Sequence, residues 1–245
     1  MTEKWASDNL YCPKCGRSLE RYPNNTKAYD FYCDHSDEHI TVLPQVQPQN
    51  RENLQLKSRK VRFANIVTGS AYEPTKNAIE SGRLSFMLLR YELKNPEVKD
   101  LTLIHKLSVT LSCIEPRKPL SEDAKRKGWI GYKLFLNRIP DLGRVGVVEN
   151  SNIVEKTTVM RQWDRLTKVL QGDITQRGWI ADIMKCIDGL PRQFTLPEAY
   201  RFETGLAKLH PKNAHIKPKI RQQLQILRDR GYIRFVGRGK YERII

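Results

Sequence analysis

The spacing of hydrophobic positions along the chain changes near residue 170. Before this point, apolar and β-branched residues occur in short runs that are typical of strands: "LSFMLLRYEL" (84–93), "LTLIHKLSV" (101–109) and "GRVGVVE" (143–149). Before the first of these runs, "SAYEPTKNAIESG" (70–82) suits a helix followed by a turn. The mixture predicts an α/β (α+β) domain over residues 1–170.

A stretch rich in proline and amides interrupts the strand pattern. Residues 41–53, "TVLPQVQPQNREN", contain two prolines and several Gln and Asn, so we expect a loop or flexible insertion between strands. Strand signals return at "LQLK" (54–57), which leads into the basic cluster "KSRK" (57–60). Taken alone, this pattern is typical of an edge strand protected by lysines.

The last third of the chain has helical spacing. "RGWIADIMKCIDGL" (177–190) carries apolar residues at helical intervals, so Trp179 belongs to a core, as does Trp163 in the preceding helical pattern. Thr195 followed by Glu198 is a capping-box signature, which predicts the start of a second helix.

A third helix and a hairpin complete this region. Ile220, Leu224 and Leu227 define one apolar face of the helix, and "YIRFV" and "KYERII" then flank the turn "GRG". Three helices followed by a β-hairpin predict a winged helix-turn-helix domain over residues 175–245.

The chain is strongly basic, with a formal net charge of +16. A polyanion partner accounts for such an excess, and nucleic acid is favoured over an anionic membrane because no lysine-rich amphipathic helix with a bulky apolar face occurs. No apolar run approaches the ~18 residues of a membrane span, and the N-terminus lacks the apolar core of a signal peptide. We therefore expect a cytoplasmic protein without a membrane partner.

The positive charge is concentrated in the predicted winged helix. Residues 208–245 contain eleven Lys or Arg against two acidic residues. Cations near phosphates supply salt-dependent affinity and register, and glutamine can pair with adenine, so Gln222, Gln223 and Gln225 are candidates for base contacts. The predicted DNA-binding residues of this domain are Lys217, Lys219, Arg221, Gln222, Gln225, Arg238 and Lys240.

Three of the five cysteines lie in the first 33 residues. Cys12 and Cys15 form a Cys-x-x-Cys knuckle and Cys33 follows a predicted strand, an arrangement that in a reducing compartment indicates a metal site. Zn²⁺ suits thiolate ligands and takes four, so residues 8–40 are predicted to form a small lobe with a structural zinc. Cys113 and Cys186 are isolated and are expected to be buried small apolar residues.

The fourth zinc ligand is not fixed by spacing. A regular second knuckle would place it at position 36, which is Ser36, a poor zinc ligand. His39 is favoured because its longer spacing allows an unstrained chelate loop, and His35 is the alternative. A pair of buried cysteines without metal is the competing interpretation.

A basic glycine loop, "KRKGWIGYK" (125–133), holds Trp129. The flanking glycines and the cations Lys125, Arg126 and Lys127 argue against deep burial of the tryptophan. An exposed indole face would offer apolar contact to base edges in the major groove, as apolar side chains do for the thymine methyl. These four residues are predicted to contact DNA.

Ordered segments from Cys12 to Tyr241 make the chain similar to a known family. The segments are "YCPKCG", "DFYC", "LKSRK", "GSAY", "KPLSEDAKRKGWIG", "RGW", "CID", "YRFE" and "HIKPKIRQQLQILRD...GRGKY". They resemble the DpnI family of methyl-directed type II restriction endonucleases, which recognise GATC carrying N6-methyladenine in double-stranded DNA. The resemblance implies a PD-(D/E)xK catalytic domain with a zinc lobe, a winged helix, and engagement of methylated DNA by both. It also favours Trp129 as a methyl reader.

The same resemblance implies a catalytic centre. Asp30 corresponds to the first metal-binding acid and Lys57 to the lysine that positions or deprotonates the attacking water, while Gln55 occupies the place of the second acid. A glutamine carbonyl is a hard oxygen ligand suited to Mg²⁺, but it carries no charge, so metal affinity should fall. Glu52 and Glu73 are alternative carboxylates.

Two other classes of function compete with a magnesium-dependent nuclease acting as a monomer. A methyl-adenine reader or regulator would have lost catalysis through Gln55, although it would have no evident reason to keep Asp30 and Lys57. A transcription regulator unrelated to methylation would explain the last third of the chain and leave residues 1–170 without a role.

Overall fold

The computed structural model describes residues 8–46, 63–91 and 98–244. In this part of the chain a mixed α/β region precedes a mostly helical region. The strands of the first region are β1 (Glu20–Arg21), β2 (Phe31–Tyr32), β3 (His39–Val46), β4 (Ile66–Gly69), β5 (Leu84–Tyr91), β6 (Val98–Ile104), β7 (Ile114–Pro116), β8 (Tyr132–Phe135), β9 (Arg144–Glu149) and β10 (Asn152–Ile153). Its helices are α1 (Tyr72–Glu80) and α2 (Lys156–Leu170).

Seven strands form the central sheet, in the order β1-β2-β3-β5-β6-β9-β10. β3 and β5 are parallel, with α1 in the connection between them, and the other neighbouring pairs are antiparallel. The strand predicted at 84–93 is confirmed over Leu84–Tyr91, the part of it that the structure describes, and the strand predicted at 143–149 is confirmed over Arg144–Glu149. The run at 101–109 is a strand only as far as Ile104, after which Lys106–Ser108 form a 3₁₀ turn.

Strand β5 is buried on both faces. Its side chains alternate between two clusters: Phe86 and Leu88 belong to one, and Met87 and Leu89 to the other. The first cluster is completed by α1 and the small antiparallel sheet β4-β8-β7. The second is completed by α2 and by residues of the cysteine lobe, the region 8–40 that holds Cys12, Cys15 and Cys33. A strand covered on both faces reads as a continuous apolar run, which is why its signal in the sequence is so strong.

The loop predicted at 41–53 is wrong for its first part, because β3 continues to Val46. Pro44 is compatible with this strand. The backbone N–H of Val42 points towards Asp30 and away from β5, and residues two apart in a strand point the same way, so the missing N–H of Pro44 lies on the side that does not pair with β5. Residues 47–53 and the predicted strand 54–57 lie outside the described residues.

The helical region has a winged-helix arrangement. Four helices and three strands compose it: α3 (Ile174–Asp188), β11 (Gln193–Thr195), α4 (Leu196–Tyr200), α5 (Glu203–Leu209), α6 (Ile216–Asp229), β12 (Ile233–Gly237) and β13 (Lys240–Arg243). The predicted capping box is present, since the Thr195 hydroxyl accepts from the Glu198 N–H and the Glu198 carboxylate accepts from the Thr195 N–H. The second predicted helix is divided into α4 and α5. No described helix is both long and apolar enough to cross a membrane.

The apolar face predicted for the third helix is confirmed. Ile220, Leu224 and Leu227 of α6 are fully buried, and Gly231, in a left-handed conformation (φ +71°), follows the end of the helix. Trp163 and Trp179 are core residues as expected, at 0% and 3% exposure. Cys113 is buried, while Cys186 is partly exposed.

Contacts between backbone and side chains connect the two regions. The Arg230 guanidinium donates to the carbonyls of Val169 and Gln171 at the end of α2, at 2.8 and 2.7 Å. The Asp188 carboxylate accepts from the backbone N–H of Asp141 and from the Tyr232 hydroxyl, at 2.8 and 3.0 Å. Asp188 therefore bonds to both regions at once.

A buried ion pair attaches the cysteine lobe to the sheet. Lys106, 7% exposed, lies 3.2 Å from the Glu38 carboxylate and 3.0 Å from that of Asp37. Glu38 also accepts from the Trp163 indole N–H and the Ser85 hydroxyl, each at 3.3 Å. Removing one partner of such a pair leaves the other charge buried without compensation, at a cost of about 3–5 kcal/mol.

We expect Lys106→Met to lower the free energy of unfolding by about 3 kcal/mol, because Glu38 would remain buried without its cation. Lys14 is the matched control: its ammonium also pairs with Asp37, at 3.5 Å, but is 45% exposed. Lys14→Met should cost no more than about 1 kcal/mol. Denaturant titration at constant zinc measures both, and equal losses would contradict a special role for the buried pair.

Candidate functional site

A cleft of about 390 Å³ opens between the central sheet and the small sheet. One wall comes from the β1–β2 connection and β3, and the other from the end of β4, α1 and the start of β8. The lining residues are Thr26, Ala28, Tyr29, Asp30, Thr41, Val42, Leu43, Pro44, Thr68, Gly69, Ser70, Thr75, Arg117 and Tyr132.

Asp30 is fixed at the mouth of this cleft, immediately before β2. Its backbone N–H donates to the Ile40 carbonyl at 2.9 Å, and its carboxylate accepts from the Val42 N–H at 2.7 Å. β2 is only two residues long and does not extend alongside Val42. The Asp30 carboxylate therefore accepts from the Val42 N–H in place of a backbone carbonyl of β2. The carboxylate is thus oriented before any ligand binds.

The strand beside Asp30 offers no second acid and no lysine within the described residues. Thr41 and Leu43 stand there, on either side of Val42. Gln55, Lys57 and Glu52 lie outside the described residues. Two described residues that flank this segment contact each other, since the Gln45 side-chain oxygen accepts from the Ala64 N–H at 3.1 Å. This contact lies at the end of β3, near the wall that holds Thr41 and Leu43.

Glu73, the other alternative carboxylate, does not line the cleft. It lies in the first turn of α1, where its side chain is 65% exposed and is 3.8 Å from the Lys76 ammonium.

Tyr132 forms the floor of the cleft and is 1% exposed. A Cβ atom at Gly69 would lie 2.0 Å from the tyrosine ring, so only glycine allows the ring to lie against this strand. Burial raises the pKa of Tyr132, the Thr75 hydrogen bond lowers it, and the charge of Asp30 raises it again. The net increase keeps the phenol protonated and excludes it as a general base near neutral pH.

The loop of Trp129 is attached to the rim of the same cleft. The Trp129 indole N–H donates to the carbonyl of Ser70, a lining residue, and the Tyr72 N–H donates to the Ile130 carbonyl at 3.0 Å. The Arg126 guanidinium lies 5.3 Å from the centre of the Trp129 ring, a cation–π contact. The structure therefore attaches the predicted methyl-reading loop to a residue of the cleft that Asp30 also lines, although the two are distant in sequence.

The three cations of this loop are exposed. Lys127 pairs with Glu122 on the surface, where such a pair adds little stability and separates readily. Lys125 and Arg126 extend the positive charge along the rim.

The predicted zinc cysteines come together. The sulfur atoms of Cys12, Cys15 and Cys33 all lie within 4.8 Å of one another, and those of Cys15 and Cys33 are 3.5 Å apart. Zn–S bonds of about 2.3 Å at tetrahedral angles would separate the sulfurs by about 3.8 Å, so the cluster fits a zinc ion. These three side chains would hold the metal and cross-link the two ends of the lobe.

The structure does not bring either histidine into the cysteine cluster. The His39 Nδ1 is hydrogen-bonded to the Tyr22 hydroxyl at 2.8 Å, within a group of aromatic rings, and the His35 Nε2 contacts the Arg17 guanidinium. In contrast, the Ser36 hydroxyl lies 3.3 Å from the Cys12 sulfur. Among these three candidates Ser36 lies nearest to the cluster, and the identity of the fourth ligand stays a prediction.

Two thiols of the cluster are perturbed in opposite directions. Burial raises the pKa of Cys12 to about 12. Burial also opposes ionisation of Cys33, but hydrogen bonds from the Ser36 side chain and the His35 backbone outweigh it and hold the pKa of Cys33 below its ordinary value. Of these two thiols, Cys33 is the one that ionises more readily.

The winged helix presents a basic groove of about 400 Å³ between α4 and α6. Its lining combines cations with amides and one aromatic ring: Tyr200, Lys217, Pro218, Arg221, Gln222 and Gln225. Four of the predicted DNA-binding residues thus share one surface. Lys219 is half-buried near Trp179, and Arg238 and Lys240 are exposed at the wing.

The interpretation of Gln223 as a candidate for base contact is wrong. The residue is 0% exposed, and neither polar atom of its side chain has a hydrogen-bond partner among the described residues. It lies on the buried face of α6 next to Leu224, so it cannot reach a base without unfolding the helix. Neighbouring residues of a helix face different directions, so the side chain of Gln223 points away from those of Gln222 and Gln225, which their proximity in sequence conceals.

Two family profiles match the chain and together cover nearly all of it. The DpnI profile, described as the Dam-replacing family, matches residues 1–172. The DpnI_C profile, described as the Dam-replacing HTH domain, matches residues 175–243. The resemblance found in the sequence is therefore confirmed.

We expect the protein to bind one metal ion per chain and Cys33→Ser to lose it. Ser36→Cys should hold the ion more tightly, because a fourth thiolate strengthens a tetrahedral site. Replacement of zinc by Co²⁺ gives the measurement: the thiolate-to-cobalt absorption should strengthen in Ser36→Cys. His39→Ala and His35→Ala should retain the metal with an unchanged spectrum. Loss of cobalt in either histidine variant would instead identify that histidine as the fourth ligand.

Proposed function

The chain belongs to the DpnI (Dam-replacing) family, a family of restriction endonucleases, and we propose that it hydrolyses double-stranded DNA at GATC-like sites that carry N6-methyladenine. The observation that carries this proposal is the position of Asp30, oriented at the mouth of a cleft whose rim holds the Trp129 loop. The family and the helix-turn-helix match imply DNA binding. We further propose that the protein acts as a cytoplasmic monomer.

The catalytic centre is proposed to be of the PD-(D/E)xK type. A short antiparallel hairpin, β2–β3, followed by α1 and the parallel strand β5, is compatible with that core. Asp30 and Gln55 would hold Mg²⁺, with Lys57 near the attacking water. When bound, the metal would polarise the phosphate and lower the pKa of that water.

The remaining work falls to side chains of this protein. Asp30 keeps its carboxylate oriented through the Val42 N–H, so little reorganisation is needed on binding. Lys57 would position the water and offset the charge that develops on the phosphate. Gln55 would add an oxygen ligand without a charge, which predicts activity at a higher magnesium concentration than a carboxylate would require.

Recognition of the mark is assigned to two surfaces. Trp129 would make apolar contact with the adenine methyl group, while Lys125, Arg126 and Lys127 bind nearby phosphates. On the winged helix, Gln222 and Gln225 would reach base edges, with Lys217, Lys219, Arg221, Arg238 and Lys240 on the backbone. Requiring both surfaces would reduce cleavage of unmethylated DNA.

A methyl-adenine reader without catalysis is the second candidate function. The observation that favours it is the pair Thr41 and Leu43 beside Asp30, which supplies neither carboxylate nor ammonium. A catalytic centre that uses Gln55 in place of the second acid, together with Lys57, would depart from the family pattern. Substitution of these two residues tests it directly.

Plasmid cleavage with Mg²⁺, with and without adenine methylation at GATC, tests the proposal. The wild-type protein should cut only the methylated plasmid. Asp30→Asn and Lys57→Ala should bind it and not cut, because the first weakens the proposed hold on the metal and the second removes the group that would position the water. Gln55→Glu should cut at lower magnesium, since a carboxylate binds the ion more tightly.

The outcomes separate the two candidates. Cutting by Gln55→Glu alone would make the natural protein a reader. The same conclusion would follow if the protein and its variants all retained the methylated plasmid and none cut it. Strong cutting by Lys57→Ala would overturn the assigned centre.

We also expect Arg221→Ala to weaken binding of methylated and unmethylated duplexes equally. Removal of one cation that neutralises a phosphate should lower the slope of log affinity against log salt by about 0.9. Gln225→Ala should weaken binding of the methylated site selectively, by about 1–3 kcal/mol. Titration of labelled duplexes at several salt concentrations, without divalent metal, measures both, and an unchanged slope for Arg221→Ala would remove α6 from the interface.

A further inference from the structure

Arg117 is the second charged side chain of the cleft that holds Asp30. Among the described lining residues these are the two charged ones, and the others are apolar, hydroxyl-bearing or aromatic. The two come from different sheets: Asp30 precedes β2 of the central sheet, while Arg117 follows β7 of the small sheet. The cleft therefore has one fixed anion and one cation on separate walls.

The backbone of Arg117 is held in place by its neighbours. Its N–H donates to the Gly131 carbonyl at 2.9 Å, just beyond the β7–β8 pairing. A Cβ atom at Gly131 would lie 2.7 Å from the Gly69 carbonyl and 3.4 Å from the Arg117 Cδ. Glycine at this position thus allows the arginine stem and the end of β4 to approach each other closely.

The Arg117 guanidinium has no ion pair or hydrogen bond within the part of the chain that the structure describes. Nearby Arg138 differs, because its guanidinium donates to Glu115 at 2.6 Å and to the Ser112 carbonyl at 2.7 Å. A planar group with five N–H donors and a permanent charge is thereby available to a ligand in the cleft.

We propose that Arg117 binds a non-bridging oxygen of the DNA phosphate that enters this cleft, which deepens the proposed function and rests on it. The phosphate brings further negative charge next to the Asp30 carboxylate, and a guanidinium that lines the same cleft offsets this charge through charge-assisted hydrogen bonds. The volume of about 390 Å³ accommodates a nucleotide-sized group. Arg117 is therefore a phosphate-binding residue of the cleft, distinct from the basic loop at its rim.

Arg117→Gln is the test, because glutamine keeps donors and part of the stem but removes the charge. With the full chain and saturating methylated duplex, single-turnover cleavage should fall about a hundredfold, as for the loss of one donor to a developing anion. Arg117→Lys should recover part of the rate. Lys118→Ala, which removes the adjacent exposed cation outside the cleft, is the matched control and should cleave at the wild-type rate.

Measurement of DNA binding at several salt concentrations tests the Arg117–phosphate contact without relying on cleavage. Without divalent metal, Arg117→Gln should lower the salt slope by about 0.9, as expected when one phosphate is no longer neutralised. Wild-type cleavage kinetics and salt slope in Arg117→Gln would overturn the assignment, as would an equal loss of cleavage in Lys118→Ala. If the wild-type protein does not cleave, the proposed nuclease fails, and the salt slope alone decides whether Arg117 contacts phosphate.

Discussion

The fold depends on the need to cover both faces of β5. Phe86 and Leu88 face α1 and the small sheet, while Met87 and Leu89 face α2 and the cysteine lobe, so each layer is required by alternate residues of one strand. Full burial of each such side chain contributes about 1.5–3 kcal/mol. The cleft lies beside these layers, where the two-residue strand β2 ends and residues of β3 and of the small sheet line opposite walls.

Local signals in the sequence predicted local structure well. The Thr195–Glu198 capping box and the apolar face of α6 depend on residues within a few positions of one another, and both are present. The three cysteines could also be predicted, because two of them share one turn. Pro44 misled because the side of a strand on which an N–H points is decided by pairing, which a single segment does not reveal.

Features that depend on distant residues could not be read from the chain. Arg117 stands one residue before the family segment "KPLSEDAKRKGWIG" and has no distinctive neighbours, and only the pairing of β7 with β8 brings it to the cleft. His39 had favourable spacing for zinc, but its ring joins Tyr22 instead. The attachment of Trp129 to Ser70 is likewise a contact between segments 59 positions apart.

The hydrogen bond from Val42 to Asp30 also bears on how β3 could pair with a strand of another molecule. Within the described residues, the edge of β3 on the side of β2 has no strand partner beyond Ile40. The Asp30 carboxylate occupies one donor of this edge and Pro44 removes the next, and both devices hinder a second chain from adding as a strand. The carboxylate that is proposed to hold the metal therefore also occupies a pairing position of β3, and a substitution such as Asp30→Ala would leave the Val42 N–H open to another strand.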